Sequence, residues 1–232
     1  MRVRVDPNVG HLAAWIATQG QALSCDYQQA QAFLQTLDPR AESFSFRTFS
    51  ECHYTRQPGD DPLERAIHAD LESCWSELTD LNCRGAAISV TINRTNGDGR
   101  AAEDIVAVRA LFLDDDRAGE IPRHFGLPPQ IQVETSPRRF HHYWLVEGLP
   151  LTDFSDLQRE LAQRFDGDHR VAALNQSMQL PGCWRRKNLH QPRLPSIRRL
   201  RPISPYSPEQ IERSLLARAD SDDSALAVGE KS

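Results

Sequence analysis

The chain has 232 residues, and at roughly 100 to 200 residues per domain that allows one large domain or one domain with a small appendage. Hydrophobic residues make up 39% and charged residues 25%, which excludes a wholly disordered chain, a collagen-like chain and a polytopic membrane protein. The formal net charge of -5 gives no hint of a nucleic-acid partner, yet between His169 and Arg201 there are eight basic residues and no acid.

In chain order, Tyr27 to Leu37 places Ala30, Phe33, Leu34 and Leu37 at helical spacing, with Asp26 as N-cap and Pro39 beyond the end. SFSFRTFSE alternates Phe44 and Phe46 against polar neighbours, the period-2 mark of a half-buried strand. A QPGDDP loop follows, and Leu63 to Leu81 reads as one long helix with Ile67, Leu71, Cys74, Trp75 and Leu78 recurring. AAISVTIN (86 to 93) is a β-branched strand stopped by NGDG. A short helix over Glu103 to Val108 is predicted to lead into an apolar strand, Arg109 to Leu113, that runs into three aspartates.

IQVET (131 to 135) and FHHYWLV (140 to 146) read as an antiparallel hairpin around SPRR. Thr152 to Phe165 carries Phe154, Leu157, Leu161, Ala162 and Phe165 on one helical face, and Asp166, Gly167 and Asp168 close it. Arg170 to Gly182 reads as a helical turn ending at L-P-G, and SIRRLRPI (196 to 203) as a final strand. Ser207 and Pro208 start a last helix, and the polar stretch beyond Asp220 is expected to be a disordered tail. Interleaved helices and strands with an antiparallel hairpin give an α/β or α+β two-layer domain.

Five cysteines without a C-x-x-C pair argue against a disulfide framework and a standard zinc site. A reducing cytosol fits best. No segment approaches the roughly 18 apolar residues of a membrane helix, so cytoplasmic residence and no membrane partner are expected.

Three constellations carry chemistry. In LFLDDDR, strand alternation sends Asp114 and Asp116 to one face and Asp115 to the other. Two such carboxylates can share a hard divalent ion, Mg²⁺ or Mn²⁺, and a pair of ions can activate a hydroxyl and steady a leaving pyrophosphate. The same residues also fit a solvated acidic turn. In ETSPRRFHHYW, His141 and Tyr143 share a face while Phe140, His142 and Trp144 share the other, so one histidine is available to a site beside Arg138 and Arg139. An edge hairpin with solvent-exposed arginines is the bland alternative. In FDGDHRVAALNQSMQLPGCWRRKN, Asp168 or Asp166 can complete a carboxylate triad, and Trp184, Arg185, Arg186 and Lys187 combine an aromatic platform with cations, as single-strand binders do. Such a segment can equally be a solvated basic loop.

The order of these motifs (Asp-x-Asp after a strand, S-P-x-x-F-H-x-Y-W on a hairpin, an acid, then L-P-G and a basic stretch) resembles the RepB-like plasmid replication primases of the archaeo-eukaryotic primase superfamily. The resemblance runs from about Phe44 through the helix after Pro208 and takes in the TIN-x-T-x-G-x-G-R turn. It implies an RRM-like antiparallel sheet flanked by helices (about 109–219) joined to an N-terminal α/β module (about 1–108), one catalytic domain over 1–219 with the tail at 220–232. It implies that Asp114, Asp116 and Asp168 bind two Mg²⁺ or Mn²⁺ ions and that His141 binds nucleotide. Ser136, Arg138, Arg139 and Lys187 would lie near nucleotide phosphates, and Trp184, Arg185 and Arg186 near template. The partners implied are single-stranded DNA, NTPs or dNTPs and, as the chain stops soon after the core, a separate replicative helicase.

The chain departs from the family where relatives read D-x-x-R-x-x-R-L-P-G, because Ala173, Gln176 and Gln179 stand there. A primase that primes plasmid or mobile-element replication is therefore weighed against a non-catalytic replication initiator or single-strand-binding module on the same fold. A rolling-circle nickase needs His-hydrophobic-His, whereas His141 and His142 are adjacent and point to opposite faces.

Overall fold

The computed structural model describes residues 23–51, 61–116, 124–168, 170–187 and 191–216. Most of the QPGDDP loop and the tail from 220 onward lie outside the described residues.

Helix α1 (Tyr27–Leu37) begins where the Asp26 carboxylate accepts the Gln29 N–H, and it buries Ala30, Phe33, Leu34 and Leu37 as their spacing predicts. Strand β1 (Phe44–Ser50) buries Phe44 and Phe46 and turns Arg47 and Phe49 the other way. The helix expected over Leu63 to Leu81 is only partly there. Its first part is β2 (Arg65–Ala69), antiparallel to β1 over five register pairs, and α2 (Leu71–Cys83) starts after Asp70, whose carboxylate accepts the Ser73 N–H at 2.9 Å. Residues 65–69 are helix-competent, but a strand neighbour supplies ladder bonds that local propensity does not outweigh.

Strand β3 (Ala86–Thr91) is wholly buried. β4 (Arg94–Thr95) and β5 (Ile105–Ala107) form a small ribbon. The helix expected over Glu103 to Val108 shrinks to a 3₁₀ turn, Ala102–Asp104, because the Asp104 side chain turns back to accept the Ala101 N–H at 2.7 Å and the chain then enters β5. Next come β6 (Ala110–Asp115), β7 (Ile131–Ser136), β8 (Arg139–Leu145) and α3 (Leu151–Arg164). The segment before L-P-G is a strand, β9 (Ser177–Gln179), where a helical turn was expected, since β3 offers it an antiparallel edge. β10 (Ser196–Leu200) follows, and α4 (Pro208–Gln210), capped by Ser207 in a reciprocal box with Gln210, runs into a π-helical segment, Ile211–Leu216.

Two four-stranded antiparallel sheets result, ordered β2-β1-β3-β9 and β10-β7-β8-β6. α2 packs on the first. α1 packs on β7 and β10 of the second, with Phe33 edge-on to Tyr143 at 5.2 Å. α3 lies along β6, an edge strand, and Gln158 bonds both main-chain groups of the buried Phe112 (3.1 and 2.5 Å), so the edge is satisfied at that residue. Among the described residues no helix is long and apolar enough to cross a membrane.

Two buried joints hold these layers in register. Asp38, past the end of α1, accepts from Arg94 at 2.6 Å and from the buried Arg109 at 2.7 Å, and Arg109 also lies over the Phe44 ring at 4.7 Å. Burial pushes the Asp38 carboxyl up, but the two guanidinium groups outweigh it and hold the group below its ordinary value. The second joint is the L-P-G turn. Gly182 has φ of 83°, and a Cβ there would lie 2.2 Å from the Asp26 carbonyl oxygen, while Gly182 O accepts the Asp26 N–H at 2.7 Å.

Two outcomes test these joints. Gly182→Ala should destabilise in urea by at least about 2 kcal/mol, whereas Gly148→Ala, at φ 78° with open space around it, should cost about 1 kcal/mol; equal losses would show that the close approach to Asp26 carries no weight. Asp38→Asn should lose about 3 kcal/mol at neutral pH by stranding Arg109. Because the folded carboxyl titrates below its unfolded value, its contribution is present above about pH 4 and lost as pH falls through the folded value. The acid limb of stability against pH should therefore be shallower in the variant.

Candidate active site

β6 and β8 are in phase from Ala110↔Leu145 to Asp115↔Phe140, so Asp114 stands directly opposite His141. Strand alternation turns both toward the first sheet together with Phe112 and Tyr143, while Asp115 and His142 face the other way. His142 packs against Phe125 at 4.9 Å and Phe140 at 5.9 Å, and Gln132 donates to its Nδ1 at 3.0 Å. Of the two histidines, one therefore serves the core and one the site.

His141 is held by two partners. Its Nε2 lies 3.4 Å from Asp114 Oδ1 and its Nδ1 lies 3.3 Å from the Tyr143 hydroxyl. A carboxylate only accepts, so in the neutral form, which carries one N–H, a hydrogen on Nε2 with Nδ1 accepting from Tyr143 fits both contacts. Burial, with the Asp114 charge adding to it, pushes the Tyr143 phenol well above its ordinary value. The hydroxyl thus stays protonated and able to donate.

Asp168 reaches Asp114 through the end of α3. Asp166 takes the left-handed position (φ 50°) and Gly167 N–H returns to Ala162 O at 2.8 Å, which makes a Schellman turn. A Cβ on Gly167 would lie 2.3 Å from Leu113 Cδ1, so glycine lets the chain pass close to β6. The Asp168 N–H then donates to Asp114 O at 3.4 Å. Asp166, the other candidate third acid, is an exposed part of the turn and does not line the cleft.

A cleft of about 870 Å³ opens between the β1, β3 and β9 face and this end of the second sheet. Asp114, His141 and Asp168 line it, together with Arg47, Arg100, Arg170 and Arg185. Glu64 bridges Arg47 at 3.5 Å and Arg100 at 3.4 Å. Sequence reading did not single out Arg47 or Arg100. The period of β1, with Phe46 inward and Arg47 outward, was the available signal for the first.

The other expected residues are distributed differently. Asp116 lies just past β6, exposed and paired with Arg139 at 3.2 Å, and neither lines the cleft. Ser136 pairs with Arg139 across the hairpin tip, where Pro137 leaves Arg138 to take φ of 66°. Lys187 is exposed. Trp184 and Arg186 depart from the expected template platform. Trp184 donates through Nε1 to Ser24 O and through its amide to Asn82 Oδ1. Arg186 is 3% exposed and donates to Asn82 O and, through its amide, to Glu51. Both are taken up by packing because the segment after L-P-G folds against α2. Arg185, in contrast, lines the cleft and is held by Glu51 at 3.2 Å.

Among the described residues no three His, Cys, Asp or Glu side chains are gathered closely enough to hold a metal ion. The donors that meet at this end of the cleft are nevertheless hard carboxylate oxygens, which suit Mg²⁺ or Mn²⁺.

The family described as RepB DNA-primase N-terminal domain matches residues 76–201, more than half of the chain. The chain is similar to the solved AEP domain of the cyanophage S-2L primase-polymerase (PrimPol), with 20% identity and a TM-score of 0.66 over 83% of this chain and 99% of that one. It is also similar to primase RepB′ (18% identity, TM-score 0.52, 84% of this chain and 62% of that one) and to the RepB′ catalytic domain solved with initiator DNA (18%, 0.51, 77% and 86%). At these identities the structures show a shared fold. No curated protein matches the chain.

Tyr143→Phe keeps the ring in the core and removes only the donor to His141. It should cost about 1 kcal/mol of stability and convert the single Nε2–H form of His141 into a mixture of tautomers in ¹⁵N spectra. An unchanged spectrum would show that Tyr143 does not set the tautomer.

Proposed function

Because the chain belongs to the RepB primase family, we propose that it synthesises short primers on single-stranded DNA by metal-dependent nucleotidyl transfer, in replication of a plasmid or other mobile element in the cytoplasm. The observation that carries this reading is the Asp114–His141 pair with Asp168 beside it, at one end of a cleft whose remaining charged lining is arginine.

Asp114, Asp116 and Asp168 are the residues that would hold Mg²⁺ or Mn²⁺. Bound there, such ions would acidify a 3′-hydroxyl and stabilise charge on departing pyrophosphate. The chain's own residues do the rest. His141, whose Nε2 faces Asp114 at the cleft end, would turn its N–H from that carboxylate to an anionic phosphate oxygen, and Tyr143 behind it would keep the hydrogen on Nε2. Arg47, Arg100 and Arg185 offer planar donors to the phosphates of template or incoming NTP or dNTP. Arg138, Arg139, Ser136 and Lys187 lie outside the cleft lining and would serve as secondary phosphate contacts, and a separate replicative helicase would supply unwound template.

A non-catalytic initiator is the second reading, favoured by one observation: Gln176 and Gln179 line the cleft at positions where the sequence departs from the family's arginines. The two readings separate in one assay. Labelled nucleotide incorporation on single-stranded DNA without primer, in Mg²⁺ and in Mn²⁺, should give dinucleotide and longer products. Asp114→Ala/Asp116→Ala should lower them at least about a thousandfold while template affinity stays within about threefold. Normal dinucleotide formation by that variant would remove the carboxylates from catalysis, and no product from wild type in either metal, with template binding intact, would favour the initiator.

A further inference from the structure

The three carboxylates expected to bind metal are not gathered among the described residues: Asp116 pairs with Arg139, and Asp168 is held by Arg170. Its guanidinium forms a fork on Asp168, with Nε to Oδ1 at 2.9 Å, Nε to Oδ2 at 3.0 Å and the terminal nitrogen to Oδ2 at 2.7 Å, while its backbone N–H adds a bond to Oδ1 at 2.9 Å. Both carboxylate oxygens are thus engaged by one residue. The Arg170 side chain is otherwise 88% exposed, so packing does not fix it and the attraction must be electrostatic. Asp114 lines the same cleft as Arg170 and Asp168. One solvent-exposed cation therefore occupies the carboxylate whose backbone adjoins Asp114.

We propose that Arg170 is the resident counter-ion of the carboxylate cluster: it competes with a divalent cation for Asp168 and, once released, becomes a ligand for the nucleotide triphosphate. This rests on the metal-dependent reading above. A guanidinium and a divalent ion want the same carboxylate oxygens, and both cannot take them at once. A displaced Arg170 stays tethered two residues from Asp168 at the cleft wall, where the new anion of highest charge is the triphosphate. The exchange would couple the two ligands, because a cleft without metal has its arginine occupied and binds nucleotide less well.

A merely structural role predicts the opposite sign. If the fork only held the Asp168 turn in place, removing it would loosen a ligand and weaken metal binding. Mn²⁺ binding followed by electron paramagnetic resonance of the free ion distinguishes the two in wild type, Arg170→Gln, Arg170→Lys and Asp114→Asn/Asp116→Asn. Arg170→Gln should bind Mn²⁺ about threefold to tenfold more tightly, and its affinity for a non-hydrolysable ATP analogue in saturating Mn²⁺ should fall about tenfold. Arg170→Lys keeps a point charge without the fork and should lie between them on both measures. Unchanged or weaker Mn²⁺ affinity in Arg170→Gln, with Asp114→Asn/Asp116→Asn still abolishing binding, overturns the counter-ion role alone. Mn²⁺ binding that survives Asp114→Asn/Asp116→Asn overturns the metal-site reading and this proposal with it.

Discussion

The pairing of β6 with β8 is the constraint on which the site depends. Side chains alternate along both strands, so a slip of one residue would send Asp114 to the opposite face and bring Asp115 toward the cleft. What prevents the slip is apolar. Phe112, Tyr143 and Trp144 are fully buried, Phe33 meets Tyr143 edge-on, and the Trp144 indole donates to Leu127 O at 2.9 Å. Burial of large aromatic side chains, each removing some 150–250 Å² from water, thus decides where a carboxylate and an imidazole stand. Charge is placed by hydrophobic packing, with electrostatics adjusting only the last few ångströms.

That placement also resolves the charge of the chain. A net -5 over 232 residues is an average over unlike surfaces. Among the described residues lining the cleft, four arginines face two aspartates, and Glu64 and Glu51 pair with three of the four, so cations and acids alternate around the concave surface. The arginine-rich stretch of the sequence contributes Arg170 and Arg185 to the cleft, whereas Arg186 is spent inside the fold and Arg198 pairs with Glu134.

How much of this was legible depended on how local its cause is. The caps at Asp26 and Ser207, the β7–β8 hairpin and the face shared by His141 and Tyr143 follow from residues within a few positions of one another, and they stand as the sequence predicts. β2 and β9 were not legible. Arg65–Ala69 and Ser177–Gln179 have weak strand character of their own and become strands because β1 and β3 present edges to them. Asp70 did carry a local signal, an N-cap placed seven residues after Leu63, inside the supposed long helix. The faces of Asp114 and of His141 were readable from alternation, and the period of β1 marks Arg47 as outward, but that Arg47 and Arg100 share one cleft with them depends on the approach of distant segments, which no period in the sequence encodes.

The same reasoning bears on the glutamines before L-P-G. β9 places Ser177 and Gln179 against β3, and the register Arg47↔Ser89↔Gln179 makes a row across the first sheet's cleft face. An arginine at position 179 would therefore stand in the same cross-strand row as Arg47. Two guanidinium groups in that row would repel unless an anion lay between them. With glutamine at 179, the row keeps a single cation next to polar, uncharged neighbours, and Arg100 and Arg185 supply positive charge from the flanks. The departure therefore bears on the contacts made along β9, while the Asp114–His141 end is fixed by its own strand register.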